Sequence, residues 1–312
     1  MVSRRALAFW GIVFVVLLAL PQAAIALNQA FYVDLVRRAM ILAIAAASLN
    51  LILGYGGLVS FGHAAYLGLG GYAVGILAFH GITLGWVQWP VAIAASALVA
   101  AAIGAISIRT SGVYFIMITL AFTQMLYYLA VSLDMYGGDD GLRLRTPSGF
   151  SGLVDLGNGL AFYYLVLGVL LLSLFTIHRI VHSRFGLVLR AAKSNDARTR
   201  AIGFSPYPYR LAAFVIAGAI CGLAGALYAN HTRYISPDFM SWVQSGDLMF
   251  MVILGGMGST AGPLLGAFAL ILIEEVLKGW TDHWQVILGP LLVVSVIFFK
   301  RGLAGLLDKP DA

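Results

Sequence analysis

Apolar residues run through this chain in long blocks separated by short polar islands. Between Arg38 and Arg109 there is no Asp, Glu, Lys or Arg at all. A bilayer-crossing helix needs about 20 apolar residues, so this run is too long for one span. Glycine clusters divide it into segments at 35–53, 58–79 and 86–108. Elsewhere the blocks predict spans at 6–26, 112–133, 160–177, 211–229, 264–277 and 284–299, with a short or broken one at 247–254. The pattern predicts an all-α integral membrane protein with about ten transmembrane or partly spanning helices. An eight-span version, in which the glycine-broken pieces are re-entrant, stays open.

Two polar stretches look like ordered loops. Residues 134–159 hold Gly137-Gly138-Asp139-Asp140-Gly141 and then Pro147, Gly149 and Gly152, the residues of turns. Residues 230–246 form a second polar loop around Pro237.

Composition agrees with the pattern. Of 312 residues 61% are hydrophobic and 10% charged, against about 25% charged in soluble domains. That leaves too little polar sequence for a second, soluble domain, so residues 1–312 read as one transmembrane domain. The single cysteine, Cys221, excludes a disulfide or thiolate metal cluster within one chain. The net charge of +6 reports topology rather than nucleic-acid binding. Residues 1–26 carry Arg4 and Arg5 before an apolar run and end in Ala24-Ile25-Ala26, which resembles a signal-peptidase site. The run is long enough to span, and a first transmembrane helix is the preferred reading over a cleaved signal peptide.

Charge then orients the chain. Residues 178–210 hold seven of the 19 Lys and Arg residues and one acid, Asp196. With this island and both termini placed on the cytoplasmic side, ten crossings divide Lys and Arg thirteen inside to six outside, as the positive-inside rule requires. Arg37 and Arg38 fall on the wrong side.

Several chemistries are missing. The lysines are 193, 278, 300 and 309, and none follows a glycine, so the chain has no phosphate-binding P-loop. There is no HExxH motif and no GxSxG elbow. His178 and His182 are four apart, as metal ligands on a helix face can be, but no third ligand is near. A pair at the membrane interface is the plainer reading. Proton-driven carriers keep ionisable groups inside the membrane. Here His63 and Glu274-Glu275 are the only candidates, the glutamates near a boundary.

What remains is a passive or externally powered pathway. Two glycine-broken stretches, 54–71 and 255–266, lie in opposite halves of the chain. Each carries Gly-Gly-x-x-Ser: Gly56, Gly57 and Ser60 in one, Gly255, Gly256 and Ser259 in the other. Transporters place substrate routes at such breaks, while close helix packing uses the same residues. Both readings stand. Asn50, Ser60, His63, Thr119 and Gln124 are polar residues within spans that could line a route or bond one helix to another.

The island itself has a pattern beyond charge. Residues 185–192 are helix-compatible, Arg184 and Arg190 lie beside apolar positions, and Gly203, Pro206 and Pro208 stop the helix. Such a bounded amphipathic helix can dock in a groove of a cytosolic partner, lie on anionic lipid, or simply fix topology.

At this point the residues resemble a family. SLNLILGYGGLVSFGHAAYLGLGGYAVG (48–75), IRTSGVYFIMITLAFTQM (108–125), GGDDGL (137–142), the loop and helix at 183–229, and SPDFMSWVQSGDLMFMVILGGMGSTAGPLLGA (236–267) are similar, in order, to the LivM-type permease subunits of branched-chain amino-acid ABC importers. They cover most of the chain from residue 39 onward. The resemblance implies an ABC importer permease fold in the bacterial inner membrane, paired with a second, homologous permease (LivH-type). It implies two cytosolic ATPase subunits beneath and a periplasmic substrate-binding protein above. The chain would bind no cofactor or metal, since ATP and Mg belong to the ATPases, and would do no bond chemistry. Residues 183–210 would be the ATPase-coupling loop, with Arg184, Gly186, Arg190, Ala191, Lys193, Asn195, Asp196, Arg198 and Gly203 as its core. Family members often carry a glutamate near Asp196. Asp139, Asp140, Arg143, Arg145 and Asp238 would face the binding protein. The implied substrate is Leu, Ile or Val, with urea, other amino acids or aromatic acids as alternatives within the family. An ATP-independent channel is an alternative of another class, and a membrane-embedded enzyme a third.

Overall fold

The computed structural model describes residues 4–26, 29–150, 155–281, 283–298 and 302–306. Lys300 and Arg301, which follow the last apolar segment in the sequence, lie outside them. Twelve α-helices follow one another: α1 (Arg4–Ala26), α2 (Ala30–Asn50), α3 (His63–Phe79), α4 (Gly85–Ser107), α5 (Val113–Val131), α6 (Gly159–Val181), α7 (Arg184–Ser194), α8 (Asp196–Ala201), α9 (Pro206–Thr232), α10 (Trp242–Gly255), α11 (Gly262–Lys278) and α12 (Trp284–Phe298). Five segments are long and apolar enough to cross a membrane: 31–55, α4, α5, α6 and α9.

The bundle is built around α2. From Ala39 to Ile52 no residue is more than 3% exposed. A helix that is apolar all round belongs inside a bundle, and α2 is covered by α6, α9, α10 and α11. Its end widens into a π-helical turn, Leu51–Tyr55. The chain then leaves helical geometry until His63, so the segment expected at 58–79 starts five residues late. The α10 helix runs longer than the expected 247–254, because Ser241 caps it by accepting from Gln244 N.

Helices α3 and α9 meet backbone to backbone. A Cβ on Gly70 would fall 1.9 Å from Gly222 O, and one on Gly225 would fall 1.9 Å from Leu67 O. Small residues permit this approach, which is how helices associate where lipid offers no hydrophobic drive. The α1 helix is held differently. Pro21 has no N–H, which leaves Leu17 O without its helical partner. Tyr163 Oη donates to Leu17 O at 2.8 Å, and Tyr164 Oη to Leu18 O at 3.2 Å. In lipid such a carbonyl must be satisfied internally.

Besides helices there is one small sheet. β1 (Leu142–Arg143) pairs antiparallel with β2 (Tyr234–Ile235), joining the two loops that the sequence marks at 134–159 and 230–246. Arg37 and Arg38 have partners near the same end of the bundle. Arg37 pairs with Asp34, donates from Nε to His231 Nδ1 at 2.9 Å and lies 5.0 Å from the centre of the Phe162 ring. Arg38 pairs with Glu274 at 3.5 Å.

Candidate functional site

The basic island folds as two helices, α7 and α8, at the end of the bundle opposite the β1–β2 sheet. Ser183 accepts from Gly186 N at 3.4 Å at the start of α7, and Asn195 accepts from Arg198 N at 2.8 Å at the start of α8. Both are N-caps. The expected helix therefore ends at Asn195, before Gly203, because Asn195 starts a second one. Gly203 takes φ +92 in the turn after α8, a conformation glycine adopts without strain.

The α7 helix is two-faced. Gly186, Val188, Leu189 and Ala192 are buried. A Cβ on Gly186 would fall 2.2 Å from Val181 O, so this glycine lets α7 turn tightly against the end of α6. Arg184, Leu187, Arg190 and Ala191 face out. Leu187, Ile202 and Phe204 are exposed apolar side chains among these cations. Asp196 is spent inside the chain: it pairs with Arg200 at 2.9 Å and Arg210 at 3.2 Å. Arg210 also donates to Ala192 O at 3.1 Å, tying α7, α8 and α9 together.

The two glycine-broken stretches, far apart in sequence, meet beneath this loop. The Asn50 carboxamide donates to Ser259 O at 2.8 Å and accepts from Gly258 N at 3.0 Å. Tyr55 Oη and Thr260 Oγ1 are 3.1 Å apart. Lys193 Nζ donates to Gly54 O at 2.6 Å. A Cβ on Gly54 would fall 2.0 Å from Asn50 Oδ1 and 2.5 Å from Gly258 N, so only glycine fits. Gly57 has φ +71 and Gly256 φ +118, at the points where helical geometry is left. Gly56 backs onto Ile52 O of its own turn, and a Cβ on Gly255 would fall 1.9 Å from Gly262 O. Ser259 Oγ accepts from Gly262 N at 3.2 Å, at the start of α11.

The other polar residues lie deeper. Ser60 Oγ accepts from Gly62 N at 3.2 Å. His63 is fully buried, with Nε2 2.8 Å from Ser48 Oγ. Ser48 gives its only proton to Ala45 O at 2.7 Å, so His63 Nε2 is the donor in that pair. Thr119 is buried against Gly62 and donates to Ile116 O at 3.0 Å. Gln124 is half-buried and joins none of these contacts. Asn50, Ser60, His63 and Thr119 thus each make an internal hydrogen bond.

Sequence reasoning passed over Ser48, Gly54, Tyr55, Gly258, Thr260 and Arg210. A signal existed for one: Ser48 and Asn50 are the only polar residues in 39–53. Lys193, which the resemblance puts in the coupling-loop core, is an exposed residue whose ammonium reaches Gly54 O.

At the sheet end, Asp139, Asp140, Arg143, Arg145 and Asp238 are all exposed. Tyr234 Oη donates to Asp140 O at 2.7 Å, and Ser148 N donates to Asn230 Oδ1 at 2.8 Å, so the two loops form one ordered layer. Arg143 and Arg145 line a groove of about 690 Å³ with Gly75, Phe79 and Thr83. His178 and His182 stack with ring centres 4.1 Å apart at the end of α6. Among the described residues no group of three His, Cys, Asp or Glu could hold a metal ion.

Comparison with known proteins gives a consistent set of relatives. A family described as "Branched-chain amino acid transport system / permease component" matches residues 31–296. The high-affinity branched-chain amino acid transport system permease protein LivM of Escherichia coli is 29% identical over 295 residues, covering 87% of this chain and 69% of that one. A probable branched-chain amino acid transport permease protein LivM of Methanocaldococcus jannaschii is 26% identical, covering 86% and 88%. An autoinducer 2 import system permease protein LsrC of Klebsiella pneumoniae is 27% identical over 52% of this chain and 46% of its own. No solved structure matches.

Proposed function

Because this chain belongs to the family of branched-chain amino acid transport system permease components, we propose that it is a transmembrane permease subunit of an ATP-binding-cassette importer. It forms, with a second homologous permease, a pathway for Leu, Ile or Val across the bacterial inner membrane. Two separate ATPase subunits dock on α7 and α8 and supply the energy, with ATP and Mg bound there. A periplasmic binding protein delivers substrate to the layer bearing Asp139, Asp140, Arg143, Arg145 and Asp238. The subunit itself makes and breaks no covalent bond. ATP binding closes the ATPases, the coupling loop moves, and the paired permeases switch access from one side to the other.

One observation carries this reading. α7 presents Arg184, Leu187, Arg190 and Ala191 outward while Lys193 fastens it to the first glycine break at Gly54 O. An exposed apolar residue ringed by cations suits an apolar groove with an acidic rim. A loop that only fixed topology would need the charges but neither the capped helices nor the inner attachment. The end-to-end alternation of the long helices supports ten crossings with both termini on the α7 side. The internal bonds of Asn50, Ser60, His63 and Thr119 favour a substrate route on a surface shared with the second permease.

Co-purification tests the reading. The ATPase subunits should come down with the wild-type chain and be lost from an Arg190→Glu/Arg198→Glu variant; retention in that variant refutes the docking assignment. A binding screen on the partner binding protein identifies the substrate, since that protein captures it first.

A further inference from the structure

Lys193 behaves unlike Arg184, Arg190 and Arg198. The Arg184 and Arg198 side chains make no hydrogen bond among the described residues, and Arg190 bonds only Gly186 O of its own helix at 3.4 Å. Lys193 instead crosses to another element. Its Nζ is 2.6 Å from Gly54 O, and its stem lies so close to Gly57 that a Cβ there would fall 2.9 Å from Lys193 Cγ. Gly54 O belongs to the last turn of the helix that began as α2, where carbonyls have no N–H ahead of them. The negative end of the helix dipole favours an ammonium at that point.

The same turn holds the second glycine break. Asn50 grips Gly258 N and Ser259 O, and Ser259 Oγ in turn accepts from Gly262 N at the start of α11. Lys193 therefore bonds the same turn of chain that carries Asn50, Asn50 holds the second break, and Ser259 of that break bonds the start of α11. Among the described residues no other hydrogen bond joins the coupling loop to either break. α7 also packs against the Leu51–Tyr55 turn, and its other hydrogen-bonded or close attachments lead to the end of α6 through Gly186 and to Arg210 on α9 through Ala192.

We infer that Lys193 is a positioning residue for energy coupling and not a docking cation: it carries displacement of α7 to both glycine breaks, through Gly54 and the Asn50 clamp. The inference rests on the importer reading above. It deepens that reading by separating two roles within one basic loop. The arginines receive the ATPase, and the lysine, exposed like them but bonded through Nζ to Gly54 O, passes the movement on.

The test uses the complete complex in proteoliposomes, comparing wild type with Lys193→Met, which keeps the stem and removes the ammonium. ATPase recovery and ATP turnover should stay near wild type, while substrate uptake per ATP falls by about tenfold, within the range that ordinary coupling free energies span. Lys193→Arg, which restores a donor at the end of a similar stem, should recover part of the uptake. Unchanged uptake per ATP in Lys193→Met overturns the inference. So does loss of the ATPases from that variant, because Lys193 would then be a docking residue. If Arg190→Glu/Arg198→Glu retains the ATPases, the importer reading of the loop fails on its own, whatever Lys193→Met does. Amide exchange on the wild-type complex covers a Lys193→Met chain that does not assemble. Nucleotide binding should change exchange at 54–58 and 256–260 together, and a change confined to α7 and α8 overturns the inference.

Discussion

Glycine is abundant here, and the α3–α9 contact gives its abundance a measurable consequence. A Cβ on Gly225 would stand 1.9 Å from Leu67 O, 2.8 Å from Leu67 C and 3.1 Å from Gly71 N. All three are backbone atoms, so no side chain can swing aside. Restoring ordinary contact, about 3.4 Å, requires the helices to part by roughly 1.5 Å. A gap of 0.5–1 Å already forfeits about a quarter to a half of the dispersion energy of the atoms facing it. Overpacking a tight site costs about 1–3 kcal/mol, and a backbone-on-backbone clash belongs at the upper end. Alanine returns about 1 kcal/mol of helix propensity, so Gly225→Ala should lose about 2 kcal/mol. For a chain of this size that lowers the melting temperature by about 4 °C. Gly168 in α6 is the control, since a Cβ there meets nothing within 4 Å. Gly168→Ala should melt at or slightly above the wild-type temperature. Thermal unfolding in detergent, followed by tryptophan fluorescence or by recovery of monodisperse protein, reads both. If Gly225→Ala is as stable as wild type, or Gly168→Ala falls as far, close helix approach is not what these glycines serve.

Two further substitutions probe single hydrogen bonds. Asn50→Ala leaves Gly258 N and Ser259 O without their partner; unpaired buried groups cost about 1–3 kcal/mol each, so the melting temperature should fall, and an unchanged value would mean the clamp is not held in solution. Tyr163→Phe removes the donor to Leu17 O. Hydrogen bonds between membrane helices average about 0.6 kcal/mol, so global stability should barely move, while amide exchange near Pro21 should rise.

Sequence patterning located the helices well because their signal is collective. The charge-free run before Arg109 could not be one helix, and glycine clusters were the only places to divide it. Boundaries were less legible where a single backbone event decides them. The π-helical turn at Leu51–Tyr55 and the delayed start of α3 at His63 depend on which carbonyls find partners from elsewhere. The inner role of Lys193 was illegible for a related reason. Helical periodicity places it on α7, but its partner Gly54 is 139 positions away. No local pattern announces such a bond. The glycine stretches were left between packing and pathway, and the contacts show why local sequence cannot separate the two. Gly255 serves close approach to Gly262, while Gly256, the next residue, serves a turn.

Arg37 and Arg38 stand against the orientation expected from charge, and the structure shows what they bind. The positive-inside rule counts Lys and Arg near the ends of spans. These two are not free. Arg37 is shared among Asp34, His231, Gly159 O and the Phe162 face, and Arg38 reaches Glu274, which Lys278 also holds at 2.5 Å. Arg37 is neutralised within α2 by Asp34 and then held by α6 and α9, whereas Arg38 meets its acid only once α11 has packed against α2. The same pairs lie at the opposite end of α2 from Asn50 and Gly54. The central helix is thus fastened at one end by ion pairs and at the other by hydrogen bonds to two glycine breaks. Ion pairs among partly buried side chains hold a fixed arrangement, because separating them strands a charge. Hydrogen bonds to backbone at glycine turns can be exchanged with little strain. Under the proposed importer reading, displacement of α7 would reach α2 at the end where Lys193 bonds Gly54 O, opposite the end held by Arg37 and Arg38.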